Sequence, residues 1–258
     1  MSQLLTETIS ELEAMKKYPK EIFYKGNLSL LDRPKVSIVG TRKPSSYTKE
    51  FTYKLAQALS QRGVCIISGA AMGVDAIAHS GAGAENTVAV LPNGLDIRYP
   101  AVNKNMIASI EEQGLLLSQY KDGFRATGWS FVVRNEVVVA LGDILIVSEA
   151  DLESGSMRSV EYALAMGKEI FVLSHRMNES LGTNRLVAEG KAKIIHDIES
   201  FASRFGESVE SEIEKDAFFY FCQSSPSFDA AVSKYGERIY AAELEGIITI
   251  QQGIVRLN

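Results

Sequence analysis

Cysteine is scarce in this chain of 258 residues, which has only Cys65 and Cys222. The two lie far apart and neither belongs to a CxxC pair, so a zinc site or a disulfide framework has little to build on. The N-terminus carries three glutamates within its first 13 residues and no long apolar core, unlike a signal peptide. No apolar run of about 18 residues, the length that spans a bilayer, occurs anywhere. These absences predict a protein of a reducing cytoplasm without a membrane anchor.

Nucleotide-binding fingerprints are missing as well. The chain has no GxxxxGK[ST] loop, which argues against ATP hydrolysis by a P-loop. In the segment VGTRKP, Arg42 stands where the second glycine of a dinucleotide fingerprint would let a pyrophosphate approach. An overall basic excess is also absent, since the net charge is −5 and the isoelectric point about 5.4. Binding to nucleic acid would therefore need a local basic patch.

The chain is rich in apolar strands that alternate with amphipathic helices from Val36 onward. This alternation predicts a parallel sheet with right-handed crossovers. Strands are predicted at 36–39, 64–67, 87–91, 115–118, 144–148, 170–173 and, at an edge, 192–195. Helices are predicted at about 47–61, 76–80, 104–113, 131–141, 186–189 and from the turn before residue 157 to residue 166. The predicted fold class is α/β, with a doubly wound, mostly parallel sheet of six or seven strands.

Both ends of the chain depart from this alternation. A lead-in arm, residues 1–34, contains a helix predicted over 3–17 from apolar residues at helical spacing, which are Leu4, Leu5, Ile9, Leu12 and Met15. The main domain is predicted over 35–205 and is followed by an acidic linker, 206–215. In the remainder, 216–258, two or three helices precede a hairpin that turns at Gln252-Gly253, the order of a small winged-helix-like module.

The stretch from Lys35 to Arg62 concentrates positive charge, with six basic residues against one acidic residue. Its turn after the first strand reads Gly40, Thr41, Arg42, Lys43. Open α/β sheets bind ligands at the carboxyl ends of their strands, and the following helix would point free N–H groups at an anion. The turn is therefore predicted to bind an anion through Arg42 and Lys43.

A second turn, SGAAMGVD, runs from Ser68 to Asp75. Its Gly69 and Gly73 could hold a phosphate through backbone N–H groups, although a tight turn needs glycine in any case. Asp75 and His79 share a helix face. Without further metal ligands nearby, a local hydrogen bond is favoured for this pair over a metal site.

Two further segments follow later strands. Phe131, Arg134 and Asn135, close to Trp129, combine aromatic rings with a guanidinium and an amide, as single-stranded nucleic acid requires. The alternative is that the two aromatic residues belong to the core. The turn from Ser154 to Ser156 either binds phosphate or simply caps the next helix.

Several motifs in one order resemble the successive signatures of the DNA-processing protein A (DprA) family, also called Smf, over residues 18–196. They are YPKEIFYKGN, VSIVGTRKPSSYT, ISGAAMGVDAIAH, TVAVLPNGLDIRYP, GLLLSQY, FVVRN, SGSMRSVEYALAMGKEIFVL and GTNRLVAEG. The resemblance implies an extended Rossmann-like domain without nucleotide chemistry, cofactor or metal. It also implies a cytoplasmic homodimer that binds single-stranded DNA, protects it during natural transformation and helps to load the recombinase RecA.

By position, the resemblance implies a nucleic-acid-binding set that consists of Gly40, Thr41, Arg42, Lys43, Ser68, Gly69, Gly73, Phe131, Arg134, Asn135, Gly155 and Ser156. Asp75 and Ser154 match the same motifs. Three positions depart from the family pattern, in which basic residues are frequent. These are Met72, Gly128 and Glu136, and Arg125 or Lys121 could supply the missing charge.

Two other functions stay open at this point. A similar sheet occurs in phosphoribohydrolases of the LOG group, which act on nucleoside monophosphates, and SGSMRSVE with Glu161 is a degraded version of their PGGxGTxxE stretch. Alternatively, the C-terminal module alone contacts duplex DNA or, given its acidic approach segment, a protein.

Overall fold

The computed structural model describes residues 1–208 and 217–257. The chain divides into two compact units, Met1–Ser208 and Val209–Asn258. The predicted linker at 206–215 lies mostly outside the described residues, and the predicted domain boundaries stay predictions. None of the helices in the described ranges is long and apolar enough to cross a membrane.

The first unit is built on one sheet. Its strands are β1 (Gln3–Leu4), β2 (Phe23–Gly26), β3 (Lys35–Val39), β4 (Cys65–Ser68), β5 (Thr87–Leu91), β6 (Leu115–Ser118), β7 (Ile144–Val147), β8 (Ile170–Leu173) and β9 (Lys193–Ile195). Its helices are α1 (Ser46–Ser60), α2 (Val74–Ala82), α3 (Lys104–Gln113), α4 (Gly128–Leu141), α5 (Gly155–Ala165), α6 (Leu181–Ala188) and α7 (Ile198–Ala202). The predicted α/β class is confirmed.

The strands lie in the order β1-β2-β6-β5-β4-β3-β7-β8-β9. Strands β3 to β9 are parallel, whereas β2 pairs antiparallel with β6 and β1 antiparallel with β2. From β3 the chain builds outward to β6 on one side and then returns to build β7, β8 and β9 on the other. The switch point lies between β3 and β7, where doubly wound sheets bind their ligands.

The parallel strands are apolar on both faces because helices cover both. One face buries Val36, Ile38, Ile66, Ile144 and Ile146 with residues of α1 and α2. The opposite face buries Cys65, Ile67, Val88, Val90, Leu145 and Val147 with residues of α4 and α5. This alternation of neighbouring residues between two cores is the period of two that a strand imposes.

The predicted helix over 3–17 is wrong. Gln3–Leu4 extends the sheet, and a 3₁₀ helix covers only Ser10–Ala14. Ile9, Leu12 and Met15 are all buried. Their spacing of three residues fits the three-residue turn of a 3₁₀ helix, so one face of this short turn enters the core. The arm therefore forms part of the first unit.

The second unit is described over Ala217–Leu257. Helices α8 (Ala217–Gln223), α9 (Phe228–Tyr235) and α10 (Arg238–Leu244) precede a hairpin of β10 (Ile248–Gln251) and β11 (Ile254–Leu257). Gln252 and Gly253 have φ of 51° and 74°, the left-handed conformation that a two-residue hairpin turn needs. The predicted turn at these residues is confirmed, as is the order of helices and hairpin.

Candidate nucleic-acid interface

The turn between β3 and α1 approaches the start of α2 closely. A Cβ on Gly40 would lie 2.6 Å from Val74 Cγ2, so only glycine fits there. The Val74 N–H donates to the Thr41 carbonyl oxygen at 3.1 Å. Gly73 has φ of 81°, and a Cβ at this position would collide with the backbone of Thr41 and Arg42. The first and second predicted turns are therefore joined, and the Arg42 and Lys43 side chains are left exposed.

A carboxylate of the chain itself occupies the start of α1. Ser45 is the N-cap residue, and both its N–H and its hydroxyl donate to Glu149 Oε2 at 3.0 Å. The Thr41 N–H donates to the Glu149 carbonyl oxygen at 2.9 Å. The sequence predicts N–H groups that are free for a ligand at this helix start. Instead, a fixed negative charge from the β7–α5 loop already faces the positive end of the helix.

Backbone N–H groups of the second turn likewise donate hydrogen bonds to a carboxylate of the chain itself. Asp75 Oδ2 accepts hydrogen bonds from the Gly69 and Ala71 N–H groups at 3.2 and 3.4 Å. Burial raises the pKa of the Asp75 carboxyl, while the charge of Arg134 and these hydrogen bonds act in the opposite direction. One of the N–H groups that were expected to hold a phosphate, that of Gly69, is therefore engaged by Asp75, as is the N–H of Ala71 in the same turn.

His79 makes hydrogen bonds on the buried side of this turn. Its Nε2 accepts from the Ala70 N–H at 3.3 Å, and its Nδ1 lies 2.5 Å from Thr87 Oγ1, which itself donates to the Ile66 carbonyl oxygen. Burial lowers the pKa of His79 to about 3, and the charge of Arg134 adds to this. Asp75 and His79 thus make local hydrogen bonds, as predicted. Across the described ranges, no three His, Cys, Asp or Glu side chains cluster as metal ligands.

Arg134 lies beneath the second turn. It is only 3% exposed, and its Nη1 donates to the Val90 carbonyl oxygen at 2.9 Å. Its guanidinium fills the space that a side chain at position 69 would need. Ser68 is also buried, and its hydroxyl donates to the Ile38 carbonyl oxygen at 2.6 Å. These two predicted residues support the turn from below and are not on its surface.

Arg42 and Phe131 meet on the surface. The Arg42 Cζ lies 5.4 Å from the centroid of the Phe131 ring, within the range of a cation–π contact. The Phe131 ring also contacts Tyr99, with centroids 6.1 Å apart and planes at 61°. Tyr99 is 46% exposed. We call these three residues the Arg42 patch; Asn135, one turn further along α4, is half-buried.

The family of the chain follows from its sequence. The sequence profile of a family described as DNA recombination-mediator protein A matches residues 6–206. The chain belongs to the DNA recombination-mediator protein A family. The resemblance deduced from the ordered motifs is thereby confirmed.

The chain is similar to named proteins and to solved structures. The chain is 35% identical to protein Smf of Synechocystis over 72% of this chain and 48% of that protein. It is 36% identical to DNA processing protein DprA of Streptococcus pneumoniae over 69% of this chain and 64% of that protein. The chain thus spans about half to two thirds of the length of these relatives.

Two DprA structures superpose well on the chain. That of Helicobacter pylori, described for a single-stranded DNA binding mode, gives a TM-score of 0.77 at 40% identity and covers 79% of this chain and 95% of that one. That of Streptococcus pneumoniae gives a TM-score of 0.73 at 33% identity, with 80% of this chain and 75% of that chain covered.

The remaining predicted residues, Gly155 and Ser156, lie at the start of α5 and differ in their exposure. Gly155 is exposed with open space around it, whereas Ser156 is 8% exposed. The Ser154 hydroxyl is buried, and no partner for it is found in the part of the chain that the structure describes. Asp151 and Glu153 are exposed in the same loop. Their charge opposes a phosphate at this turn, so a role for Gly155 and Ser156 in binding stays a prediction.

The positions that depart from the recombination-mediator family pattern differ in their surroundings. Met72 is 45% exposed beside Gly73, and Gly128 faces open space. Glu136 accepts a hydrogen bond from the Lys16 N–H at 3.1 Å and so ties the N-terminal arm to α4. The first two positions could accept a cation without repacking, whereas an arginine at 136 would lose this contact.

Sequence reasoning missed Tyr99 and Glu149. Tyr99 lies in the motif TVAVLPNGLDIRYP, but nothing in its local sequence indicates that its ring meets Phe131. Glu149 is the second residue after β7, and only its position at the carboxyl edge of the sheet, beside the turn after β3, could have indicated a role.

Proposed function

We propose that the chain binds single-stranded DNA on the Arg42 patch. The observation that carries this proposal is the exposed guanidinium above the Phe131 ring, with Tyr99 beside it. A base can stack on such rings whatever its sequence, while the cation contacts a phosphate. Lys43 adds a second exposed cation in the same turn.

The wider role is proposed from the resemblance to the family. The chain is proposed to protect single strands taken up in natural transformation and to help load RecA onto them, as a cytoplasmic homodimer. The similarity to the Helicobacter pylori protein, whose structure was described for its single-stranded DNA binding mode, supports the DNA-binding part of this proposal.

The proposed role is non-enzymatic. In the described residues, Asp75 and Glu149 accept hydrogen bonds from backbone N–H groups of the two turns where a nucleotide phosphate would be held. This weighs against the alternative of a phosphoribohydrolase. Incubation with nucleoside monophosphates should release no free base, and release would favour the enzyme instead.

Binding can be tested by fluorescence anisotropy with labelled single- and double-stranded oligonucleotides at several salt concentrations. Arg42→Ala should weaken binding to every single-stranded sequence and reduce the slope of log K against log salt by about 0.7 to 1. Arg42→Lys should keep the slope but bind more weakly, since lysine loses the planar group that lies over Phe131.

Arg176→Ala is the matched control, because this arginine side chain is 89% exposed and lies outside the Arg42 patch. It should bind like the wild type. Equal affinity for single and double strands, or an Arg42→Ala variant that behaves like Arg176→Ala, would contradict the proposal.

A further inference from the structure

A second aromatic cluster lies at the start of α4. The rings of Tyr120 and Phe124 are stacked, with centroids 4.3 Å apart and planes at 12°. Trp129 meets both of them edge-on, at 5.7 Å and 78° from Tyr120 and at 6.0 Å and 68° from Phe124. Two supporting rings thus fix the orientation of the indole.

Trp129 is nevertheless 57% exposed. A large aromatic ring that is held rigid and still faces water is typical of binding surfaces, since its apolar area gains from being covered and little entropy is lost on binding. The supporting rings, by contrast, are half-buried. The exposed group of the cluster is therefore the indole itself.

The aromatic cluster and the Arg42 patch both include a residue from the first turn of α4. Trp129 and Phe131 both lie in the first turn of α4, two residues apart, which corresponds to about 3 Å along the helix axis. Successive residues of a helix turn by about 100°, so residues two apart leave the helix about 200° apart, on nearly opposite sides of its N-terminal end. A strand bound on Phe131 would reach Trp129 by crossing this end of the helix.

A free cation accompanies the cluster. Arg125 is exposed, and no carboxylate lies within 4 Å of it in the described parts of the chain. The neighbouring Lys121 is engaged with Glu21 at 3.3 Å, and Asp122 accepts hydrogen bonds from Ser2. Arg125 is thus the group of this loop that can contact a phosphate, at a site where Gly128 supplies no charge.

We propose that Trp129 is a second base-stacking site, at which the single strand that lies on the Arg42 patch continues with a phosphate on Arg125. The inference rests on the proposed function and extends it by a separate contact. It assigns the exposed indole to a nucleobase of the same strand.

The chain offers a direct readout, because Trp129 is its only tryptophan. Selective excitation of the indole during titration with unlabelled oligo-dT should show quenching that saturates with the affinity found by anisotropy. Trp129→Leu, which keeps apolar bulk, should weaken binding about 5- to 150-fold, as loss of one base stack predicts. Trp129→Phe should recover most of the affinity, and Arg125→Ala should flatten the salt slope by about 0.7 to 1.

The outcomes separate the two proposals. If Arg42→Ala abolishes binding but the indole is not quenched and Trp129→Leu binds normally, the second site is refuted and the proposed function stands. If no single strand binds at all, both fail. An emission spectrum that shifts on dilution without DNA would mean that a second copy covers the indole, and would also overturn the inference. Unchanged far-ultraviolet circular dichroism and thermal midpoint confirm that each variant is folded.

Discussion

Lowering the pH from 7 to 5 should destabilise the first unit through one buried side chain, His79. In the folded chain, its Nε2 accepts from the Ala70 N–H and its Nδ1 faces Thr87 Oγ1, so the ring is held in one neutral form. A proton on Nε2 would break the first of these bonds and would place a charge in the core next to Arg134. Both effects oppose protonation in the native state.

The pKa of His79 falls to about 3 in the folded chain from 6.5 in an exposed histidine. Between these values the unfolded chain binds the proton and the folded chain does not, so stability is lost as the pH falls. Each pKa unit corresponds to about 1.4 kcal/mol, and integration from pH 7 to pH 5 gives a loss of about 2 kcal/mol in the free energy of unfolding.

Urea denaturation at several pH values, followed by Trp129 fluorescence, measures this loss for the first unit alone. His79→Gln is the matched variant, because an amide can accept from Ala70 and donate to Thr87 without titrating. Burial raises the pKa of Asp75, which acts in the opposite direction with pH, but this contribution is common to both proteins and cancels in their difference. A difference between wild type and variant that is the same at pH 7 and pH 5 would refute the reasoning.

Two further predictions concern the turns. Gly69→Ala should cost about 1–3 kcal/mol of stability in urea denaturation, because its Cβ would collide with the Arg134 guanidinium, whereas Gly155→Ala, which has open space, should be nearly neutral. Glu149→Gln keeps an acceptor for Ser45 but removes the negative charge beside the Arg42 turn, so single-stranded DNA should bind more tightly by anisotropy; weaker binding by a normally folded variant would contradict this.

The parallel sheet could be predicted because its information is local. Runs such as Val36–Val39 and Ile144–Val147 are short, β-branched and separated by helical periodicity, which is sufficient to place them between two layers of helices. The prediction for the N-terminal arm was wrong because it also relied on local information alone. Apolar residues three apart fit both an α-helix and a 3₁₀ turn, and only packing against the rest of the unit decides between them.

The site was less predictable because its decisive contacts join distant segments. Arg42 and Phe131 were expected to serve one surface and do come together. Arg134 was expected to belong to the nucleic-acid-binding set. It is buried because its guanidinium donates to the Val90 carbonyl oxygen and is stabilised by the charge of Asp75. Both partners lie on other elements, and no sequence pattern around residue 134 indicates these contacts.

The two internal carboxylates bear on what this surface can hold. In sheets of this class, a nucleotide is gripped by N–H groups at the start of a helix, which suits one compact phosphate. Here Glu149 and Asp75 accept hydrogen bonds from backbone N–H groups of the two turns, whereas the side chains of Arg42 and Lys43 and the ring of Tyr99 are exposed. A cation beside a ring gives only a modest contribution for one nucleotide, but contributions accumulate along a polymer that passes over several of them. For the proposed function, these internal carboxylates therefore weaken the binding of mononucleotides, because they take the place of a bound phosphate. The affinity for a single strand then comes from its length.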